Sequence, residues 1–205
     1  MALTLETSES TELDSQFLNA PGTYHVAVIG TDEQPEKKDN SGFIDAFEVQ
    51  IEVLAGPHAK KTSRLLFNNP NSNHKDKGEF ARKMQTRILE ILGLIGEEQK
   101  GKAVSVELSH AMGRQFIARF KAEEYNGKQQ IRLDGGNFWH IDDPNADQCE
   151  RNESAIGLLS KSLRRDPASF KKASPTPAAG HANAGGKNGG GNGGAKKPPV
   201  NLDDL

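Results

Sequence analysis

Phe43-Ile44-Asp45-Ala46-Phe47-Glu48-Val49-Gln50-Ile51-Glu52-Val53 alternates apolar and polar side chains over eleven residues. Phe43, Asp45, Phe47, Val49, Ile51 and Val53 share one face, and Ile44, Ala46, Glu48, Gln50 and Glu52 share the other. A period of two marks a half-buried strand with Phe47 through Val53 inward. A run about twice the usual strand length of about 5–6 residues points to a bent strand of a small barrel. Gly56-Pro57 breaks it, and Thr62-Ser63-Arg64-Leu65-Leu66-Phe67 follows after a short connection, which predicts an antiparallel hairpin. Upstream, Ala20-Pro21-Gly22 is a turn signal. Thr23 to Ile29 is rich in β-formers, is bounded by Gly30 and reads as the first strand. Residues 31–42 form a polar loop.

Downstream the period changes. After a loop at 68–73, Phe80, Met84, Ile88, Ile91, Leu92 and Ile95 recur at helical spacing, with Glu79, Arg82, Lys83, Arg87 and Glu90 off that face. Asp76 and Glu79 have capping-box spacing, and Gly96 is the expected stop. Strand signals then resume. Val104, Val106 and Leu108 alternate with polar residues. Beyond a turn at His110 to Gly113, Phe116, Ala118, Phe120 and Ala122 alternate with Gln115, Ile117, Arg119 and Lys121. Asn126-Gly127 is a two-residue hairpin signal leading into Gln130 to Leu133. Gly135-Gly136 precedes Phe138 to Ile141, which can close the sheet. A short helix is expected around Ile156, Leu159 and Leu163.

Three strands, a helix and two strands is the element order of the OB-fold, a partly open barrel that receives oligonucleotides on its strand 2–3 face. The expected class is therefore mainly β, an OB-fold-like five-stranded barrel with one helix between strands 3 and 4, followed by a disordered tail. The corresponding divisions are a polar leader at 1–20, the barrel domain at 21–145, an extension at 146–169 and a tail at 170–205.

Composition narrows the function classes. The chain has 205 residues, 34% of them apolar, and a formal charge of −2, against an apolar norm of about 45–50%. The deficit lies in the tail, where Val200, Leu202 and Leu205 are the only apolar side chains larger than Ala beyond Phe170. Such a segment cannot bury enough surface to offset its ordering entropy. No apolar run approaches the roughly 18 residues of a membrane span, and the first residues lack the pattern of a secretory signal, so a cytoplasmic protein is expected. The near-neutral charge excludes proteins that wrap duplex DNA by charge alone. One cysteine, Cys149, excludes an internal disulfide. The six histidines never fall at i, i+4, so no helical metal site is expected. Gly185-Gly186-Lys187-Asn188 lacks the phosphate-loop spacing, because His181 stands where Gly is needed and Asn188 where Ser or Thr is needed. Neither an enzyme nor a cofactor is expected.

Binding has more to stand on. With Leu65, Phe67, Phe116 and Phe120 inward, Lys60, Lys61, Arg64, Arg114, Arg119 and Lys121 become the candidates for following a phosphate backbone. Phe43, Tyr24, Tyr125, Phe138 and Trp139 are the aromatics that can stack on bases. The tail ends in Asn201-Leu202-Asp203-Asp204-Leu205, an acidic tip with two apolar anchors on a Gly/Asn/Pro/Lys linker. Leu202, Asp203, Asp204 and Leu205 form the candidate partner-docking motif.

These features together resemble the bacterial and phage single-stranded DNA-binding proteins, an OB-fold followed by a Gly-rich linker and an acidic–hydrophobic tip. The bacterial tip reads Asp-Asp-Ile-Pro-Phe; Asp203-Asp204-Leu205 supplies the acids and a terminal apolar residue without the Pro or the aromatic. The domain also resembles small phage-encoded proteins found beside recombination genes. Pro21 to Val26 matches their Pro-x-Gly-x-Tyr-x-Val opening apart from one departure in spacing, and Gly101-Lys102-Ala103-Val104 resembles their Gly-Lys strand. The resemblance implies sequence-tolerant binding of single-stranded DNA in replication or recombination. It also implies recruitment of partner proteins through the tip, and it is compatible with a homo-oligomer. Two other readings stay open: a protein-binding adaptor built on a small β-barrel, and a single-stranded RNA binder.

Overall fold

The strand at residues 47–53 keeps its faces in three dimensions. In a computed structural model of the chain, β2 (Phe47–Val53) fully buries Phe47, Val49, Ile51 and Val53, while Glu48, Gln50 and Glu52 retain solvent contact. The structure describes residues 16–33, 44, 46–68 and 75–170, with side chains 75–77 left aside. Phe43, the leader at 1–15 and the tail from 171, with its tip, lie outside the described residues. The chain divides into two units, Met1–Lys172 and Ala173–Leu205, and every described residue belongs to the first.

The expected eleven-residue strand shortens to seven. Ile44 and Ala46 are both buried, although the alternation would have placed them with Glu48 on the solvent side. They precede the β2 ladder, so a period of two does not govern them. The hairpin to β3 (Thr62–Phe67) forms as the spacing predicts, with Leu65 and Phe67 inward. The first strand, β1 (Gly22–Glu33), runs past Gly30. One extra residue, the exposed Ile29, is bulged out between Val28 and Gly30. A residue added at Gly30 would bring its Cβ to 3.0 Å from Gln50 Oε1, so the bulge favours Gly there. Leu18, placed by the sequence in the leader, is buried, and its N–H donates to Thr62 O.

All five strands are antiparallel in one sheet ordered β3-β2-β1-β4-β5, with β4 spanning Gln115–Tyr125 and β5 spanning Lys128–His140. A flat sheet would hold its outer strands about 19 Å apart, four gaps of about 4.8 Å. Yet Phe67 on β3 and Phe138 on β5 meet edge to face with ring centroids 6.1 Å apart, so the sheet is strongly curved. It is not closed, because no ladder joins β3 to β5. Helix α1 (Lys75–Ile91) bonds to both outer strands' ends instead. Gln85 Nε2 donates to Asn68 O (3.0 Å) just after β3, and Arg87 donates to Phe138 O (3.0 Å) on β5.

Several sequence expectations are corrected here. The helix begins at Lys75, before Asp76, so Asp76 is not its cap. Phe80 is exposed, and the fully buried stripe is Gln85, Ile88, Leu89 and Leu92, because the helix turns Leu89 rather than Phe80 toward the sheet. The helix stops at Gly93 (φ 67°), not Gly96. Leu94 N–H donates to Leu89 O and Gly93 N–H to Glu90 O, which is a Schellman cap. Residues 104–107 form no strand; Val104 and Val106 pack on the core from a loop, and Leu108 opens a 3-10 turn, Leu108–Ala111. Gly135-Gly136 does not divide β5. Register jumps from Phe120↔Leu133 to Ala118↔Phe138, so residues 134–137 bulge opposite Arg119.

Tyr24 and Phe138 are core residues rather than stacking platforms, with Tyr24 packed on Phe120 and Phe138 on Phe67. Ile117, expected outward, is also fully buried. Residues 141–165, including the short helix α2 (Glu153–Gly157), cross the outer side of the sheet. They cover a second apolar cluster of Ile117, Ile141 and Ile156, flanked by Trp139, Ala146, Cys149 and Leu159.

Candidate nucleic-acid interface

Pairing between β1 and β4 begins at Gly22↔Phe120, so among the described residues β4 beyond Phe120 pairs with β5 alone. Residues 121–132 thus form a two-stranded arm projecting past β1. Its turn is Asn126-Gly127, both at positive φ (52° and 71°), the geometry that suits a tight hairpin. A two-residue loop fixes the register: Tyr125↔Lys128, Glu123↔Gln130 and Lys121↔Arg132. Directly paired residues share a face. One face of the arm therefore carries Lys121, Glu123, Tyr125, Lys128, Gln130 and Arg132. The opposite face turns Ile131 onto the main core.

Several side chains on this face touch one another. Arg132 lies over the Tyr125 ring, 5.4 Å from its centroid, and donates to Gln130 Oε1 (2.8 Å). Lys121 pairs with Glu123 at 2.9 Å. That contact raises the Lys121 pKa and lowers that of Glu123, each favouring its charged form. Lys121, Lys128 and Arg132 share this face with Glu123, which also lies 4.0 Å from Arg132, and Asp134 at the arm's root lies 3.9 Å from Lys121; the Tyr125 ring is 56% exposed. Chemically this is a basic strip with one flat ring, able to hold phosphates and stack a base.

The other candidates are placed differently. Lys60 sits at the β2–β3 turn with φ 70°, and its N–H donates to Val53 O; Lys61 follows it. Arg64 points outward from β3 and lies 3.7 Å from Glu48. Around it the outer face of β1–β2–β3 is acidic, with Asp32 paired to Glu48 in register and Glu52 opposite Thr62. Arg119 is clamped at the root of the arm between Asp134 (2.9 Å) and Asp147 (2.8 Å), so its charge is already met. Arg114 lies on another side, where its Nε donates to His110 O and burial lowers its pKa. Trp139 is half-buried and lines a cleft of about 860 Å³ with Arg87, Lys100, Arg165 and Phe170. Phe43, Leu202, Asp203, Asp204 and Leu205 lie outside the described residues.

Two of the sequence candidates, Lys121 and Tyr125, thus share one face of the arm. Lys128 and Arg132 were missed, although counting outward from Asn126-Gly127 pairs them with Tyr125 and Lys121 directly. Among the described residues no cluster of three or more His, Cys, Asp or Glu side chains can hold a metal ion, and no helix is long and apolar enough to cross a membrane. No family model matches the chain, and no curated protein matches it either.

Proposed function

We propose that this chain binds single-stranded DNA without catalysis and with little sequence preference, using the β4–β5 arm as its main contact. The observation that carries this reading is the arm's single face, which carries Lys121, Lys128 and Arg132 together with the exposed Tyr125, Arg132 lying over its ring. A strand with free bases can stack on the ring while its phosphates meet the three cations, whereas a duplex hides its bases. The architecture supports the same reading. The order β3-β2-β1-β4-β5, with a helix between β3 and β4 and the outer strands in side-chain contact, suits a partly open OB barrel. Lys60 and Lys61 extend the basic surface at the β2–β3 turn. The Leu202 to Leu205 tip is assigned to recruiting replication or recombination proteins.

Anisotropy titration with a labelled oligonucleotide tests this. Single-stranded DNA should bind more tightly than the same sequence as duplex, with a log–log salt slope of roughly −2, or about −0.7 for each of three phosphates. Equal affinity for the two forms, or binding indifferent to salt, overturns the proposal. Competition with RNA of the same sequence sets the DNA preference. The acidic outer face of Asp32, Glu48 and Glu52 favours a second reading, a protein-binding adaptor that docks a basic partner there. Absence of binding to either nucleic acid selects it.

A further inference from the structure

Two histidines, one on β1 and one at the end of β5, hold residues 141–165 against the sheet by the same arrangement of hydrogen bonds. His25 is 0% exposed. The Gln115 amide nitrogen donates to Ala155 O, which turns its oxygen toward His25 Nε2 at 3.0 Å. His25 Nε2 therefore carries the proton, and Nδ1 is left to accept from the Asn152 N–H at 3.1 Å. His140 is 5% exposed. Its Nε2 faces the Leu163 carbonyl at 3.1 Å and donates to it, while Nδ1 accepts from the Asp142 N–H at 3.1 Å. Each imidazole is neutral, and each has both nitrogens committed to or beside the crossing segment. We propose that residues 141–165 form a strap that acid releases from the sheet by protonating His25 and His140.

The geometry sets a second proton on either ring against a backbone N–H donor. An imidazolium has two N–H donors. In both sites the added hydrogen on Nδ1 would point at a backbone N–H about 3.1 Å away, donor against donor, and at His25 this happens with the ring wholly shielded from solvent. The charges around the two rings differ but give the same sign. His25 faces Arg151 and Glu153 on the strap and the uncharged Gln115 on β4, and burial dominates to lower its pKa. His140 faces Asp142 and Asp143 on its own segment and Arg165 at the strap's end. Arg114 lies across a small cavity from it, and Arg87, Glu90 and Lys100 lie across the larger cleft. Burial, helped by Arg165, again holds the pKa down. The Asp142 carboxylate, 3.7 Å from His140 Nδ1, favours the cation, but burial and Arg165 outweigh it and the His140 pKa stays lowered.

Release has defined consequences. It uncovers Ile117, Ile156 and Trp139, and it withdraws Asp147 from Arg119. The second effect leaves Arg119 to Asp134 alone at the root of the arm; its bearing on DNA rests on the function proposed above. The strap itself is independent of that reading and is tested without nucleic acid.

Cys149, the chain's single cysteine, is half-buried in the strap beside the second cluster. Its labelling rate with 4,4′-dithiodipyridine, divided by the rate of the urea-unfolded chain at the same pH, reports strap opening. Between about pH 7.5 and about pH 5 this ratio should rise several-fold, while the far-UV circular dichroism of the sheet stays unchanged. A constant ratio overturns the strap, and so does a rise that coincides with loss of the sheet signal. The paired substitution His25→Gln and His140→Gln should abolish the pH dependence of the ratio, whatever its absolute level. Persistence of the full dependence in that variant also overturns the proposal.

Discussion

Phe67 and Phe138 touch edge to face across the open side of the sheet, with 6.1 Å between ring centroids, although they belong to its two outermost strands. Phe67 also stacks on Phe47 at 5.1 Å, and Arg87 lies over Phe138 at 5.3 Å. These rings join the β2–β3 hairpin, the β4–β5 hairpin and α1 in one contact where no backbone ladder does so. Phe67→Ala should therefore cost about 3–5 kcal/mol, the usual range for a buried phenylalanine. Urea denaturation measures it. A loss below about 1 kcal/mol, within the scatter of surface changes, would mean that the curvature does not depend on this contact.

Gly93 and Gly96 separate two accounts of where α1 ends. Gly93 holds φ at 67°, where an L side chain is strained, and nothing but Arg114 approaches its missing Cβ closely. Gly93→Ala should cost about 1 kcal/mol for that left-handed conformation. Gly96 has φ of −93°, and the nearest atoms to an added methyl are those of the exposed Glu98 carboxylate, which can swing aside. Gly96→Ala should change the urea midpoint little. The reverse ranking would place the helix stop at Gly96.

Arg119 was read as a phosphate contact from its outward position, and the structure gives it two carboxylates instead. It is partly exposed, so solvent screening discounts the pairs. Arg119→Ala should cost about 1 kcal/mol of stability and leave the salt dependence of DNA binding nearly unchanged. A lower slope magnitude with unaltered stability would return Arg119 to the interface.

What was legible in the sequence follows from how local each signal is. The alternation in Phe47 to Val53 and the Asn126-Gly127 turn are set by neighbouring residues, and both hold. Ile117 looked outward because its own strand alternates; a segment more than twenty residues later, carrying Ile141 and Ile156, covers it. Phe80 fitted a helical stripe whose rotation is set by the sheet, not by the helix. Gly135-Gly136 resembled a break, yet β5 absorbs those residues as a bulge opposite Arg119. For the site, charge and aromaticity picked out Lys121 and Tyr125. Their partners Lys128 and Arg132 required the hairpin register, while Tyr24 and Phe138 required knowledge of which face is covered.

Stability should fall as the pH drops from about 7 to about 5. Burial lowers the pKa of both His25 and His140 in the folded chain, so between the unfolded value near 6.5 and the folded values the unfolded state binds more protons. The stabilisation is full above about pH 6.5 and declines as acid titrates the unfolded histidines. Asp142, whose pKa is lowered by Arg164 and the Arg165 N–H, acts in the same direction only below the ordinary carboxylate range. Urea midpoints at several pH values measure the slope. A midpoint that rises toward pH 5 would contradict the neutral state of both rings.

Tyr125 separates stacking from charge on the arm. Its ring is exposed on one side and faces Arg132 at 5.4 Å on the other, and it fills no core. Tyr125→Ala should leave the urea midpoint nearly unchanged and weaken single-strand binding by about 1–3 kcal/mol, the cost of one lost base–aromatic stack. Because no cation is removed, the log–log salt slope should stay where it was. Tyr125→Phe keeps the ring and should restore most of the affinity. Paired replacement of Lys128 and Arg132 by Ala should behave oppositely, lowering the slope magnitude by roughly 1.4 for two phosphates while duplex binding stays weak. Arg132→Ala alone also frees the ring from its cation, so the paired variant is compared with Lys128→Ala to isolate that term. If Tyr125→Ala and Tyr125→Phe lose equal affinity, the hydroxyl rather than the ring makes the contact. If neither loses any, the arm does not hold the strand, and the basic β2–β3 turn at Lys60 and Lys61 becomes the surface to mutate next.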